Sequence, residues 1–464
     1  MKTTLYVENV ELYKRRTETS YLDDTEITVT DINNGIILPL KVIDDKVTDG
    51  VFAGGVCDEN GDFITGMRRH KIKAGNFSCM SSYKVEKKNI KIIDEEVIYG
   101  GVLIEHFGHS FLECLSRLWY IVKNKKDKRK IAFLLTGDMK KYHYDMLNIL
   151  NIKKNKIIII DEPTQFKKVI VPEESLHSWD CYKKEYNLIY DEIRKNVDPK
   201  NVDKLYLTRT KLDPNYDVNE KYFEDFFEKR GYKVISPETL SFKEQIEYIS
   251  GAKEIITTLG TLSHFGLCMD YGSKLVILNR TKINNLIPQY IVNEARKLNV
   301  FYVDAMIEVL PVEHAGGCVC LYPTEYFIEY LKKENISYTK EELEIDKEKV
   351  IVEYLKKWAI NYTKPVHYST IEKYDVYDVI KLFNKELNNK TITKDEIFPK
   401  GSYYHLKHYW MKKFNEEKDD NIRLKKEISK LKKENKELKL KYNKIINSRS
   451  WKLISRIRNI VRKK

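Results

Sequence analysis

The sequence predicts an α/β protein, and three observations carry that reading. Short runs that are apolar almost throughout, such as 254–258 and 274–278, alternate with amphipathic helical stretches, the pattern of parallel sheets covered on both faces. The alternation occurs twice in succession, which predicts two Rossmann-like halves with a cleft between them, where strand C-termini and helix N-termini meet a ligand. Charge is segregated: residues 401–464 hold 21 Lys and Arg against 7 Asp and Glu, leaving 61 against 62 in residues 1–400. The body is thus neutral and the net +13 belongs to a basic tail, which points to a tether on an anionic surface rather than to a basic substrate groove.

Residues 1–95 read as a β-rich N-terminal piece, with β-branched runs at 26–30 and 56–64 and the hairpin signal Asn60-Gly61. An N-terminal α/β unit over 96–200 begins with a long helical stretch from Ile98 and continues with strands 131–135, 156–160 and 168–171. A second unit, 201–320, follows the Asp198-Pro199 break. Its elements are strand 205–208, helix 218–230 closed by Gly231, strand 233–236, helix 240–250, and strands 254–258 and 274–278. Ser241 with Glu244 three residues on forms a capping box.

A helical extension, 321–414, leads to a coiled coil over 415–446. There Leu424, Ile428, Leu431, Asn435, Leu438, Tyr442 and Ile445 alternate spacings of four and three. Leu at d, Ile at a and one Asn at a describe a parallel homodimer through 424–445, and a solvated single helix is the alternative. Residues 447–464 read as a basic amphipathic helix.

With 42% hydrophobic residues the chain is too apolar to be disordered, and no stretch of eighteen apolar residues exists to span a bilayer. Glu8 and Glu11 interrupt the place where a signal peptide needs an apolar run, and seven scattered cysteines without a CxxC pair read as reduced thiols, so a cytoplasmic location is expected. The Cys318-Cys320 pair reads as buried thiols ahead of metal or redox chemistry.

The chemistry-bearing residues form two sets. Between Tyr99 and Trp119, on the expected helix, His109, Glu113 and Arg117 stack at i, i+4 and i+8, with His106 one turn earlier, so a polar stripe crosses an otherwise apolar helix. A buried carboxylate beside histidines suits general-base catalysis; a surface Glu113–Arg117 ion pair is the bland alternative, and HxxH with a following Glu offers metal ligands but no third strong one. In the second set, Arg209 and Lys211 follow the first strand of the second unit. The turn Thr258-Leu-Gly260-Thr261-Leu-Ser263-His264 follows its third strand, with backbone N–H groups and hydroxyls suited to a diphosphate.

These motifs resemble glycosyltransferase family 61. The resemblance runs from Tyr99 to Arg280 and rests on His106-Phe-Gly-His-Ser-Phe-Leu-Glu113 with Arg117-Leu-Trp119, on Tyr206-Leu-Thr-Arg209, and on Pro237-Glu238 through Gln245 with Leu259-Gly-Thr-Leu262. It implies a GT-B fold, a nucleotide-sugar donor in the C-terminal half, inversion at the anomeric carbon, and no cofactor or obligatory metal. Glu113, His106 or His109 would be the base, with Arg117 and Gln245 in support. Arg209, Lys211, Glu238, Thr258, Gly260, Thr261, Ser263 and His264 would hold the donor. The sequence departs from the family's pattern in the 259–264 turn and at Leu278-Asn279, near the expected donor site.

The tail places Trp451, Ile454, Ile457 and Val461 on one helical face, beside Lys452, Arg456 and Arg458, as an interfacial helix on an anionic leaflet requires. The expectation is therefore an inverting, metal-independent glycosyltransferase on the inner face of the plasma membrane, acting on a glycan or lipid-linked acceptor in bacterial surface-polysaccharide synthesis. No nucleic-acid partner is expected, since no folded RNA-binding motif accompanies the charge. The rivals are a non-glycosyl (for example pyruvyl) transferase on a glycan and an inactive coiled-coil scaffold. Donor hydrolysis or donor binding separates them.

Overall fold

A computed structural model describes residues 2–44, 51–68, 78–79, 81–177, 179–212, 217–281, 287–307 and 318–362, with isolated positions between 381 and 438. The chain divides into two compact units, Met1–Thr393 and Lys394–Lys464.

The first unit is α/β, with two large sheets. One has nine strands. Its parallel centre runs Thr164–Pro172, Lys91–Leu103, Lys130–Leu135 and Ile157–Ile159, and antiparallel strands Val29–Asn33, Ile36–Asp44, Val51–Cys57 and Phe63–Thr65 extend it. The Asn60-Gly61 turn joins the last two of these, with Gly61 at φ +89°. The other sheet is parallel throughout, in the order Lys233–Ile235, Lys204–Leu207, Glu254–Thr258, Lys274–Asn279, Asn299–Asp304 and Lys2–Tyr6. Its strands Lys204–Leu207, Glu254–Thr258 and Lys274–Asn279 are buried on nearly every residue, which is why they read as continuous apolar runs.

Two elements differ from the sequence reading. The stretch from Ile98 is the second half of the strand Lys91–Leu103 rather than the start of a helix. Helical structure begins only at Phe107, and it is broken into Phe107–His109, a π turn Ser110–Cys114, turns at 115–118 and Trp119–Lys123. The N-terminal piece also serves both sheets. Lys2–Tyr6 forms the edge of the parallel sheet, while the strands from Val29 onward join the nine-stranded one.

The helix Glu185–Lys195 is joined to the segment 269–296 through a buried arginine. Asp191 on it accepts from the fully buried Arg296 (2.6 Å), whose Nη2 also donates to Met269 O (2.8 Å). The capping box forms as expected, with Ser241 N–H donating to Glu244 Oε2 (2.9 Å). Beyond Leu321 come helices Glu325–Lys333, Lys340–Leu343 and Lys347–Tyr362. Among the described residues no helix is long and apolar enough to cross a membrane. All seven cysteines are free thiols, Cys318 and Cys320 both buried, and burial pushes the Cys320 thiol up to about 12.

In the second unit Ile428, Leu431 and Leu438 are helical and exposed. Leu424, Asn435, Tyr442 and Ile445 lie outside the described residues, as do Trp451, Lys452, Arg456 and Arg458.

Candidate active site

The strand Lys91–Leu103 delivers the chain to the first set of polar residues at its C-terminal end, where an α/β sheet offers ligands a crevice. His106 caps the broken helix, its Nδ1 accepting the His109 N–H at 3.4 Å, and its ring lies 4.6 Å from that of His109. His109 Nδ1 is 2.9 Å from Glu113 Oε1. The Glu113 side chain is 3% exposed and that of His109 27%, so a buried carboxylate holds a solvent-accessible imidazole. With Glu113 ionised, Nδ1 carries the proton and Nε2 is left as an acceptor, the orientation a general base requires.

Arg117 does not continue the stripe. It lies beyond the π turn, with its guanidinium 5.2 Å from the Tyr99 ring. Nη2 donates to Thr65 Oγ1 and Gly66 O at 3.1 Å each, Nη1 donates to Pro172 O, and Glu174 is 3.6 Å away. Burial raises the Glu174 pKa, and the Arg117 charge opposes it most strongly. Both Glu113 and Arg117 are buried, so they form no surface ion pair. Arg117 instead anchors the segment to the nine-stranded sheet.

The second set faces this one closely. Phe107 and Phe111 pack on Phe265, with centroids 5.9 and 5.2 Å apart, and on Phe242, at 6.3 and 6.0 Å. A Cβ added at Gly108 would lie 2.6 Å from Thr261 Oγ1, so the absence of a side chain there is what lets the 259–262 turn approach. Gly260 within that turn has φ +127°, a backbone that side chains rarely allow.

The hydroxyl of Ser263 is committed inside the turn. It contacts Gly260 O (2.8 Å) and Gln289 Oε1 (2.6 Å) and accepts the Gly260 N–H (3.2 Å). The N–H groups of Ser263 and His264 also bond within the turn, to Gly260 O and Thr261 O. The Ser263 hydroxyl and both N–H groups are therefore occupied by the protein itself. Thr258 Oγ1 is buried and has no partner among the described residues.

His264 Nδ1 lies 2.9 Å from Gln289 Oε1. Gln289 Nε2 donates to Asn293 Oδ1 (2.9 Å), which fixes the amide so that its oxygen faces the imidazole. Burial lowers the His264 pKa to about 4; the Gln289 bond opposes this, and smaller contributions come from His109, Glu113 and Arg209. That single ring therefore lies within electrostatic reach of both sets.

At the end of Lys204–Leu207, Arg209 Nη1 stands 4.0 Å from Asp217 Oδ2, and the Arg209 N–H donates to Glu220 Oε1 (3.0 Å). Arg280 Nη2 donates to Asp217 Oδ1. Burial pushes Glu220 well above the usual carboxyl range, reinforced by the Asp217 charge, and burial with the Arg280 charge lowers Arg209. Lys211 is exposed. Burial raises Glu238, partly offset by Arg209 and Lys211. Gln245 Nε2 donates to Pro237 O (2.7 Å) and Leu240 O (3.1 Å), holding the loop that carries Glu238.

Sequence reasoning does not single out Asp217, Glu220, Arg280 or Gln289 as site residues. Arg280 follows an apolar strand just as Arg209 does, so the strand-end rule reaches it; Gln289, inside the helix Ile287–Ala295, carries no such signal. Among the described residues no three His, Cys, Asp or Glu side chains converge as a metal site.

The family model Glycosyltransferase 61 matches residues 107–276. The matched stretch takes in His109, Glu113, Arg117, Arg209, Glu238 and the 258–264 turn, and stops short of Arg280 and Gln289. No curated protein matches the chain.

Proposed function

We propose, from the match of residues 107–276 to the family model Glycosyltransferase 61, that this chain is an inverting glycosyltransferase with a nucleotide-diphosphate sugar as donor. Its acceptor is a glycan or lipid-linked glycan in bacterial surface-polysaccharide synthesis. On a GT-B plan the nine-stranded sheet serves the acceptor and the parallel sheet the donor.

The observation that carries this chemistry is the His109–Glu113 pair at 2.9 Å. The acceptor oxygen bonds to the anomeric carbon while its proton passes to His109 Nε2. The bond from that carbon to the donor phosphate oxygen breaks, and its electron pair leaves with the diphosphate. One displacement of this kind inverts the carbon. Glu113 touches no reacting atom and acts as a positioning residue for His109. Arg209 and Lys211 offset the charge that develops on the leaving group.

A mass-spectrometric screen of nucleotide sugars identifies the donor, and variants then test the base. His109→Asn and Glu113→Gln are each expected to lower turnover by roughly 100-fold or more while nucleoside-diphosphate affinity stays within a few-fold. Near-normal turnover in both removes the pair from the mechanism.

The same reading holds the enzyme on the inner face of the plasma membrane through residues 447–464. Sedimentation with anionic vesicles tests this, and a full-length chain that ignores them removes it.

A further inference from the structure

The last carbonyls of a helix have no partner within it, and leaving them unbonded in a core is costly. The segment that carries His109 and Glu113 ends inside the core, with Phe111 and Leu112 both buried. After Cys114 the chain turns, Ser116 N–H bonding Glu113 O (3.1 Å) and Leu118 N–H bonding Leu115 O (2.8 Å). The carbonyls of Phe111 and Leu112 are met from another element. On the helix Glu185–Lys195, Tyr186 OH donates to Leu112 O and Tyr190 OH donates to Phe111 O, each at 2.7 Å. The two hydroxyl oxygens are 3.1 Å apart, and both tyrosines are fully buried. At the other end of the segment Ser110 Oγ donates to Ile104 O (2.7 Å) and lies 2.9 Å from His143 Nε2.

The π turn is thus pinned on both sides, and Glu113 is the residue directly after the pinned carbonyls. The Glu113 charge reaches Tyr186, where it adds to the effect of burial on the phenol. Filling space does not account for the hydroxyls. Tyr206 and Tyr330 are equally buried, and their hydroxyl groups have no partner among the described residues. At 186 and 190, one helical turn apart, both hydroxyls meet backbone acceptors of the same turn.

We infer that Tyr186 and Tyr190 are positioning residues for the transfer reaction, holding the Phe111 and Leu112 carbonyls so that Glu113 reaches His109. The inference rests on the reading of His109 as the base. Phenylalanine keeps the rings and removes only the hydroxyls, so Tyr186→Phe, Tyr190→Phe and the double variant are the test.

The double variant is expected to lose about 10-fold or more in kcat, with KM for the donor found by the screen and Kd for its nucleoside diphosphate within twofold. In 15N spectra of histidine-labelled protein, the Nδ1–H tautomer of His109 should give way to the mixture seen in Glu113→Gln. Tyr330→Phe, in the core beside the parallel sheet, should change neither. If the double variant does not fold, each single variant should show the same changes at smaller size.

Wild-type kcat with an unchanged tautomer in the tyrosine variants overturns the inference. If His109→Asn and Glu113→Gln are inactive in the same assay, only the inference falls. If those two retain turnover, the base assignment falls and takes the positioning role with it.

Discussion

His264 shows how one hydrogen bond can decide what a side chain offers a ligand. Its Nδ1–H is spent on Gln289 Oε1, and burial holds its pKa at about 4, so at neutral pH the ring presents a lone pair at Nε2. A phosphate cannot use that lone pair, whereas a sugar hydroxyl can donate to it. The same burial sets a stability limit. The folded pKa lies below the unfolded value of 6.5, so the unfolded chain binds the extra proton first; stability is full above pH 6.5 and drains as pH falls toward 4. The shift corresponds to about 3 kcal/mol. His264→Asn, whose amide nitrogen can still donate to Gln289, is expected to flatten that acid limb. Urea midpoints at pH 7.5 and 4.5 check it, and an equal acid loss in both proteins would place the burden on another group.

At the scale of the element, the broken helix and the 259–262 turn touch where Gly108 meets Thr261. A methyl group at 108 would fall 2.6 Å from Thr261 Oγ1 and 3.1 Å from its Cγ2, so Gly108→Ala should cost about 1–3 kcal/mol of stability through overpacking. Thr261→Ala clears both atoms, and the double variant should recover most of the loss; simple addition of the two single effects would show that no such contact exists. This contact also marks how far the sequence could be read. Strands such as Lys130–Leu135 and Glu254–Thr258 were legible because burial on both faces leaves a plain apolar run, and the Ser241–Glu244 capping box is a local signal for a local bond. A long helix from Ile98 is what the sequence suggests because His109, Glu113 and Arg117 fit a helical period, whereas 98–103 is strand. The π turn keeps the first pair together, but its wider winding turns Arg117 toward Glu174 and Tyr99. Tyr186 and Tyr190 were invisible as partners of that turn, since what they bond is backbone, which looks the same at every position in a sequence.

At the scale of the whole chain, Lys2–Tyr6 pairs with Asn299–Asp304 before the chain crosses to the nine-stranded sheet and later returns at Lys204, so residues nearly 300 apart complete one sheet. No periodicity announces such a pairing, because register between distant strands is set by the fold. Charge is the opposite case, legible from sequence alone. Residues 444–464 carry Lys444, Arg449, Lys452, Arg456, Arg458, Arg462, Lys463 and Lys464 with no acidic residue, and Trp451, Ile454, Ile457 and Val461 fall among them at helical spacing. Each basic side chain near an anionic leaflet contributes about 1 kcal/mol, while one short apolar face is marginal alone. Deleting residues 447–464 is therefore expected to abolish sedimentation with anionic vesicles and to spare transfer to a soluble acceptor, since His109, Glu113 and Arg209 all lie in the first unit. Binding by the full chain should fall steeply between 0.1 M and 1 M salt, where the screening length shrinks from about 10 to about 3 Å. Neutral vesicles should bind little at either salt. Binding to RNA with no response to anionic vesicles would assign the tail to nucleic acid and end the membrane reading.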